Sequence, residues 1–295
     1  MGGSDIAFGG GLYLVTWRYW NATFAARVTP DGEVLDSRPI ALHASQIYSE
    51  PVVASNGTSF VIAWIENRKI YTVFVSASGS ASAPVEMGIG VPDNHFLNEV
   101  ALASDGNRFM LVWTVARPFL GNLLDPPQAT VHSMLLDAGG APLRATESRL
   151  GEYGLSPRIA SSGRDFLVAF SGLDTLEGVF VSADTGAAGT RVSLGATHYV
   201  YDFRGLTWDG SRYVSTRSVL RGIEITTVER DGSTSTRLLP AQVTSSFGQD
   251  AASNGAGETF VLTVEQAGAP RPSFRVIARS IDEIPATTRR RSARR

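Results

Sequence analysis

One short pattern recurs six times along this chain and leaves few architectures open to it. A polar turn containing glycine is followed by a strand with apolar residues on both sides. The clearest copy is Ser55-Asn56-Gly57-Thr58-Ser59-Phe60-Val61-Ile62-Ala63-Trp64. The turn glycines are Gly10, Gly57, Gly106, Gly163, Gly210 and Gly257, spaced by 47, 49, 57, 47 and 47 residues. Three residues after each stands an aromatic: Tyr13, Phe60, Phe109, Phe166, Tyr213 and Phe260. Seven residues after the first four stands a second large aromatic: Trp17, Trp64, Trp113 and Phe170. The last two copies carry Arg217 and Val264 there. Most copies have a second turn glycine about 22 residues further on, at Gly32, Gly79, Gly186 and Gly232, with Gly139 or Gly140 in the stretched third copy.

Each unit reads as four short strands. In the second they are Val52–Ala54, Phe60–Ile65, Ile70–Val75 and a stretch near Pro84–Met87. Asn-Gly suits a left-handed turn, and β-branched and aromatic residues fill the third strand. No window holds helical periodicity for long. In the second strand Phe60, Ile62 and Trp64 point one way, and Val61, Ala63 and Ile65 the other. A sheet apolar on both faces must be covered on both. Stacked blades do that, whereas a two-sheet sandwich would leave one polar face and a β-solenoid has much shorter turns. The expected fold is all-β, a six-bladed β-propeller of four-stranded antiparallel blades with an incomplete last blade. Residues 1–284 form the propeller, in units of about 5–49, 50–98, 99–155, 156–202, 203–248 and 249–284. Residues 285–295 read as a basic disordered tail. The sixth unit lacks a second turn glycine and a clear fourth strand, so its third strand, Ser273 to Arg279, should be an open edge that invites self-association.

Composition excludes several classes. There is no cysteine, hence no disulfide framework and no thiolate metal site. A net charge of −2 makes the body no nucleic-acid surface. No run of 18 apolar residues suggests a membrane helix, and Met1 to Asp5 has neither the basic region nor the apolar core of a signal peptide. All basic residues but Lys69 are arginines, which with abundant Ala and Gly fits a GC-rich, bacterial genome.

The repeat, a small-apolar strand followed by Asn/Asp-Gly-x-x-Phe/Tyr-x-Val-x-Trp, resembles those of secreted or surface β-propeller proteins of bacteria, over about 280 residues. That resemblance implies the propeller fold and an extracellular or cell-surface place for the full-length protein. It implies no activity, since most such proteins are uncharacterised. The sialidase Asp-box, the Tyr-Trp-Thr-Asp motif of receptor propellers and the calcium loops of integrin-like blades are absent as such. Trp208-Asp209 falls in a first-strand turn and is not a WD signature.

Candidate site residues follow from the blade plan. Turns between strands one and two and between three and four lie at one end. Links between strands two and three, and between blades, lie at the other, where functional loops gather. That connector face carries the insertion Ala116 to Gln128 and, between blades, His43, Asp93, His95, His198 and Tyr199. The histidines stand at different repeat offsets, which favours scattered surface residues over a shared metal site. His132, in a third strand, reads as packed. Glu50, Glu99 and Asp250 each lie seven residues before their turn glycine, at the start of an innermost strand and so at the mouth of the central channel. Such carboxylates could hold a divalent cation or a basic ligand, or do acid–base work. No other cofactor is implied. The leading expectation is a non-catalytic module that binds a protein or glycan partner through the connector face. The alternatives are a carbohydrate-active hydrolase or lyase using the channel-mouth carboxylates, and a truncated propeller fragment without activity of its own.

Overall fold

In the computed structural model, residues 3–44, 49–117, 128–196, 203–219, 222–240, 246–254, 256, 258–267 and 273–281 are described. They form six antiparallel sheets, five of four strands and a last one of three. The chain has the expected fold, a six-bladed β-propeller with an incomplete last blade. Blade 2 shows why the sequence folds this way. Its strands are Val52–Ser55, Ser59–Glu66, Lys69–Ser76 and Val85–Glu86, each meeting the next in simple up-and-down order. The innermost strands of successive blades pack against one another: Ser4–Gly9 on Val52–Ser55, then Phe96–Ser104, Leu155–Ser161, Phe203–Trp208 and Ser246–Ser253.

The turn glycines do what the pattern predicts. Gly57 has φ +93°, and Gly106 the same, a left-handed backbone that side chains resist. Asn56 Oδ1 accepts the N–H groups of Thr58 and Ser59, and Ser55 Oγ that of Gly57. Asp105 and Asp209 close their own turns in the same way. The polar residue before the glycine therefore replaces the sheet ladder where it ends.

The two apolar faces of each second strand serve two different interfaces. Phe60, Ile62 and Trp64 join Leu12 and Leu14 of blade 1 in one cluster. Val61, Ala63 and Ile65 join Phe109, Leu111 and Trp113 of blade 3 in the next. Trp64 and Trp113 are fully buried, as expected. Trp17 is only partly buried, which departs from the expectation that all three tryptophans lie between sheets. It lies on the face of blade 1 turned toward blade 6, together with Ile6 and Phe8, which are 56% and 54% exposed. Among the described residues no buried cluster joins blades 6 and 1, while each of the other five interfaces has one.

Blade 6 also differs in register. Ser253 pairs with Thr259, whereas Ser55 pairs with Phe60, so the first turn of blade 6 is one residue longer. Thr259 thus occupies the rung of Phe60 and is buried, and Phe260 faces the other way, 40% exposed. On the strand before the turn, Asp250 pairs with Leu262 as Val52 pairs with Ala63. Counted by strand pairing, Asp250 is level with Asp5 and Arg158, and sits two positions beyond the level of Glu50 and Glu99.

Candidate functional site

The channel-mouth residues are built from the innermost strands. Glu99 accepts the backbone N–H of Ser156 on Oε2 at 2.6 Å and the Ser156 hydroxyl on Oε1 at 3.4 Å. Ser156 holds the repeat position of Glu99 in the next blade, so Glu99 leans toward blade 4. Glu50 leans the other way: its carboxyl group occupies the space a Cβ on Gly3 would need, in blade 1. Glycine at that position is what lets the carboxylate in. The two groups sit on neighbouring blades and turn to opposite neighbours.

Two positions further along the innermost strands, Asp5 is the more informative carboxylate. Its Oδ2 accepts the N–H of Val53 at 2.8 Å and its Oδ1 that of Ile6 at 2.9 Å. Burial pushes its pKa up, more than these two hydrogen bonds pull it down, with Asp250 adding repulsion and Arg158 a partial offset. A carboxyl whose folded pKa is raised contributes stability below the ordinary carboxylate range and loses it as pH rises through the folded value. Replacement by asparagine removes that titration. The stability of Asp5→Asn relative to the parent, read from urea denaturation, should therefore shift in the variant's favour between about pH 3.5 and about pH 7. A relative stability that stays constant across that interval would show that Asp5 ionises as freely in the channel as in water. Among the described residues no group of three or more His, Asp or Glu side chains is arranged to hold a metal ion.

The connector face carries the more open site. At that end of blade 3, on the side turned toward blade 2, a pocket of about 310 Å³ is lined by His95, Val115, Arg117, Gln128, Ala129, Thr130, Arg149, Glu152 and Tyr153. Val115, buried on the face shared with Thr130 and Glu152, is its apolar side chain on the blade 2 side, while Ala129 belongs to the opposite face of the sheet. Arg117 is held from two sides: Nε donates to His95 Nε2 at 2.9 Å, and Nη1 to Gln128 Oε1 at 2.7 Å. His95 Nε2 must then be the acceptor, so the imidazole is neutral with its proton on Nδ1, which donates to the Asp93 carbonyl at 3.0 Å. Asp93 acts here through its backbone. The segment carrying His95 is fixed in turn by Arg68, which donates to the Pro92 carbonyl, and by Arg144, which donates to the Met87 and Gly88 carbonyls. Arg149 pairs with Glu152 at 3.2 Å on the exposed rim. Behind Thr130, His132 bonds the Thr130 hydroxyl and stacks on Trp113. Burial and the nearby Arg149 charge lower its pKa, which keeps that ring neutral.

Two other features of this face were not legible as scattered residues. His43 is not a lone surface histidine: its Nε2 lies 2.7 Å from the buried Glu66 carboxylate, and its ring stacks with Trp64 and Tyr71. Trp20, at the tip between the second and third strands of blade 1, is 80% exposed with φ +53°. Arg117, Gln128, Thr130, Arg149 and Tyr153 were missed as site residues because nothing in the repeat marks them. The one signal was position, since Arg117 opens the stretched link of blade 3 and its N–H donates to the Gln128 carbonyl across the base of that link. The interior of the link at 118–127, with His198, Tyr199 and the tail at 285–295, lies outside the described residues.

No family model matches the chain, and no curated protein matches it in sequence. Solved structures do match in fold. Virginiamycin B lyase from Staphylococcus aureus aligns over 93% of this chain and 84% of its own, with a TM-score of 0.50 and 11% identity. The Dos1 propeller aligns over 96% and 71%, with a TM-score of 0.52 and 10% identity. The SapL1 lectin, solved in complex with alpha methyl fucoside, aligns over 92% and 94%, with a TM-score of 0.54 and 9% identity. At such identities the likeness is one of fold alone: this chain is similar to β-propellers as different as a lyase and a lectin, and it shares their architecture.

Proposed function

We propose that this protein is a non-catalytic binding propeller that engages a glycan, or a protein partner, through its connector face. The observation that carries this reading is the pocket at the end of blade 3, where a guanidinium is held in place by an imidazole nitrogen and an amide oxygen beside the buried Val115. A concave site with a few convergent polar groups is the usual form of a ligand site. The exposed Trp20 on the same face adds a rigid aromatic of the kind that anchors partners. The opposite face offers less, because its turn polar groups bond one another. The lectin of similar fold is a precedent for a glycan on this architecture, and the repeat's resemblance to bacterial surface proteins supports a partner outside the cell. Acid–base chemistry has no comparable support, since Glu50 and Glu99 turn to opposite neighbours and the Glu99 carboxylate is occupied by Ser156.

A glycan array probed with the intact chain tests the reading. Trp20→Ala and Arg117→Ala should weaken whatever binding is found, and Glu33→Ala, at a turn on the opposite face, should leave it unchanged. Loss of binding with Glu33→Ala alone, or release of new reducing ends from the bound glycan, would overturn it.

A further inference from the structure

The geometry points to a ligand class for the blade 3 pocket: it takes a single acidic sugar, with the sugar carboxylate against Arg117 and Arg149. This rests on the glycan reading above and makes it more specific.

Charge decides the first part. Arg117 is oriented by an imidazole nitrogen and an amide oxygen, neither of which carries negative charge. Among the described residues no carboxylate pairs with it. A guanidinium fixed through Nε and one Nη presents its remaining edge in a set direction, and such a fork prefers a planar carboxylate. Holding it in advance lowers the ordering cost of binding. Arg149 supplies a second positive charge, shared with Glu152 on the rim, where both side chains are more than half exposed. Water screens that pair strongly, so an incoming carboxylate can compete with Glu152 for Arg149.

Size and lining decide the second part. Ligand pockets commonly measure about 300–1,000 Å³, so about 310 Å³ accommodates one ring and no long chain. Val115 offers a small apolar contact, Tyr153 an aromatic edge, and Thr130, Gln128 and Glu152 offer donors and acceptors of the kind ring hydroxyls need. An acidic peptide side chain would satisfy the arginines but leave those hydroxyl-matching groups unused.

Titration calorimetry with D-glucuronate and D-galacturonate, against D-glucose, D-galactose and an acetylated aspartate peptide, tests this. The uronates should bind, more weakly as salt rises, and the neutral sugars should bind at least about tenfold more weakly, the difference one charge-assisted contact makes. Arg117→Ala and Arg149→Ala should each weaken uronate binding by about tenfold or more. Glu152→Gln, an exposed change that frees Arg149 and does not threaten folding, should tighten it severalfold. Neutral sugars binding as well as uronates, with Trp20→Ala still weakening them, would overturn the acidic-sugar assignment and leave the binding-face reading standing. Preference for the aspartate peptide would overturn the sugar assignment. Uronate binding that Glu152→Gln leaves unchanged would place the ligand outside this pocket.

Discussion

Trp64→Ala should lower the unfolding free energy by about 3–5 kcal/mol, the usual range for a large aromatic removed from a packed core. Trp64 is fully buried and lies in the cluster that joins blades 1 and 2. Its ring stacks with both His43 and Tyr71, at centroid distances of 5.6 and 6.1 Å. The neighbours cannot close the gap, because each belongs to a hydrogen-bonded sheet whose register is fixed from strand to strand. Among the described residues the indole N–H has no hydrogen-bond partner. Trp64→Phe, which deletes that orphaned donor along with part of the ring, should therefore lose less than half of what alanine loses. Urea denaturation of the three proteins measures both differences. An alanine variant that loses under about 1 kcal/mol would mean that the blades are not held by this interface.

The same tryptophan shows why so much of the fold was legible. Apolar residues on both faces of one strand require a covering layer on each side, and six copies at a near-constant spacing leave little but stacked blades. Where the sequence misled, the reason is equally local. Aligning copies on their glycines placed Asp250 with Glu50 and Glu99, but strand pairing counts from the residue before the turn. From Asn254 and Asn56, Asp250 and Val52 are both four positions back, but Gly257 stands two residues further beyond its asparagine than Gly57 does. Trp17 fits the repeat as well as Trp64 does, yet burial depends on which blade faces it, and blade 1 turns that side to the incomplete last blade. The pocket was largely invisible for a different reason. His95 was flagged from its connector, but its partners Arg117, Gln128 and Arg149 come from three separate strand ends, and only the sheet brings those ends together.

Asp165 shows what a sequence repeat hides at an interface, and its removal should have the second largest effect. Asp165 opens the second strand of blade 4 and Tyr213 that of blade 5. Tyr213 is the one aromatic of its rung whose hydroxyl reaches back across a described blade interface, donating to Asp165 Oδ1 at 2.6 Å and to the Asp165 carbonyl at 2.8 Å. Ser162 Oγ donates to the same Oδ1 at 2.6 Å, and Arg230 bonds Oδ2 from the turn of blade 5. Burial alone would raise the Asp165 pKa, but the bonds from Ser162, Tyr213 and Arg230 outweigh it and the net shift is downward. Burial and the Asp165 contact push the Tyr213 pKa far up, so the phenol stays protonated and donating. Asp165→Ala leaves the buried hydroxyl with one backbone acceptor and Arg230 without its carboxylate, and should cost about 1–3 kcal/mol at neutral pH. A carboxyl with a depressed folded pKa gives stability that is present above its unfolded value, about 3.9, and lost as pH falls through the folded one. The gap between parent and Asp165→Ala should therefore narrow below about pH 4. Tyr213→Phe keeps the ring and removes only the donor, for about 1 kcal/mol. Combining the two changes should cost less than their sum, because the hydroxyl and the carboxylate act as one unit. Strict additivity, or a gap that persists unchanged into acid, would show that blades 4 and 5 are joined by their apolar surfaces alone.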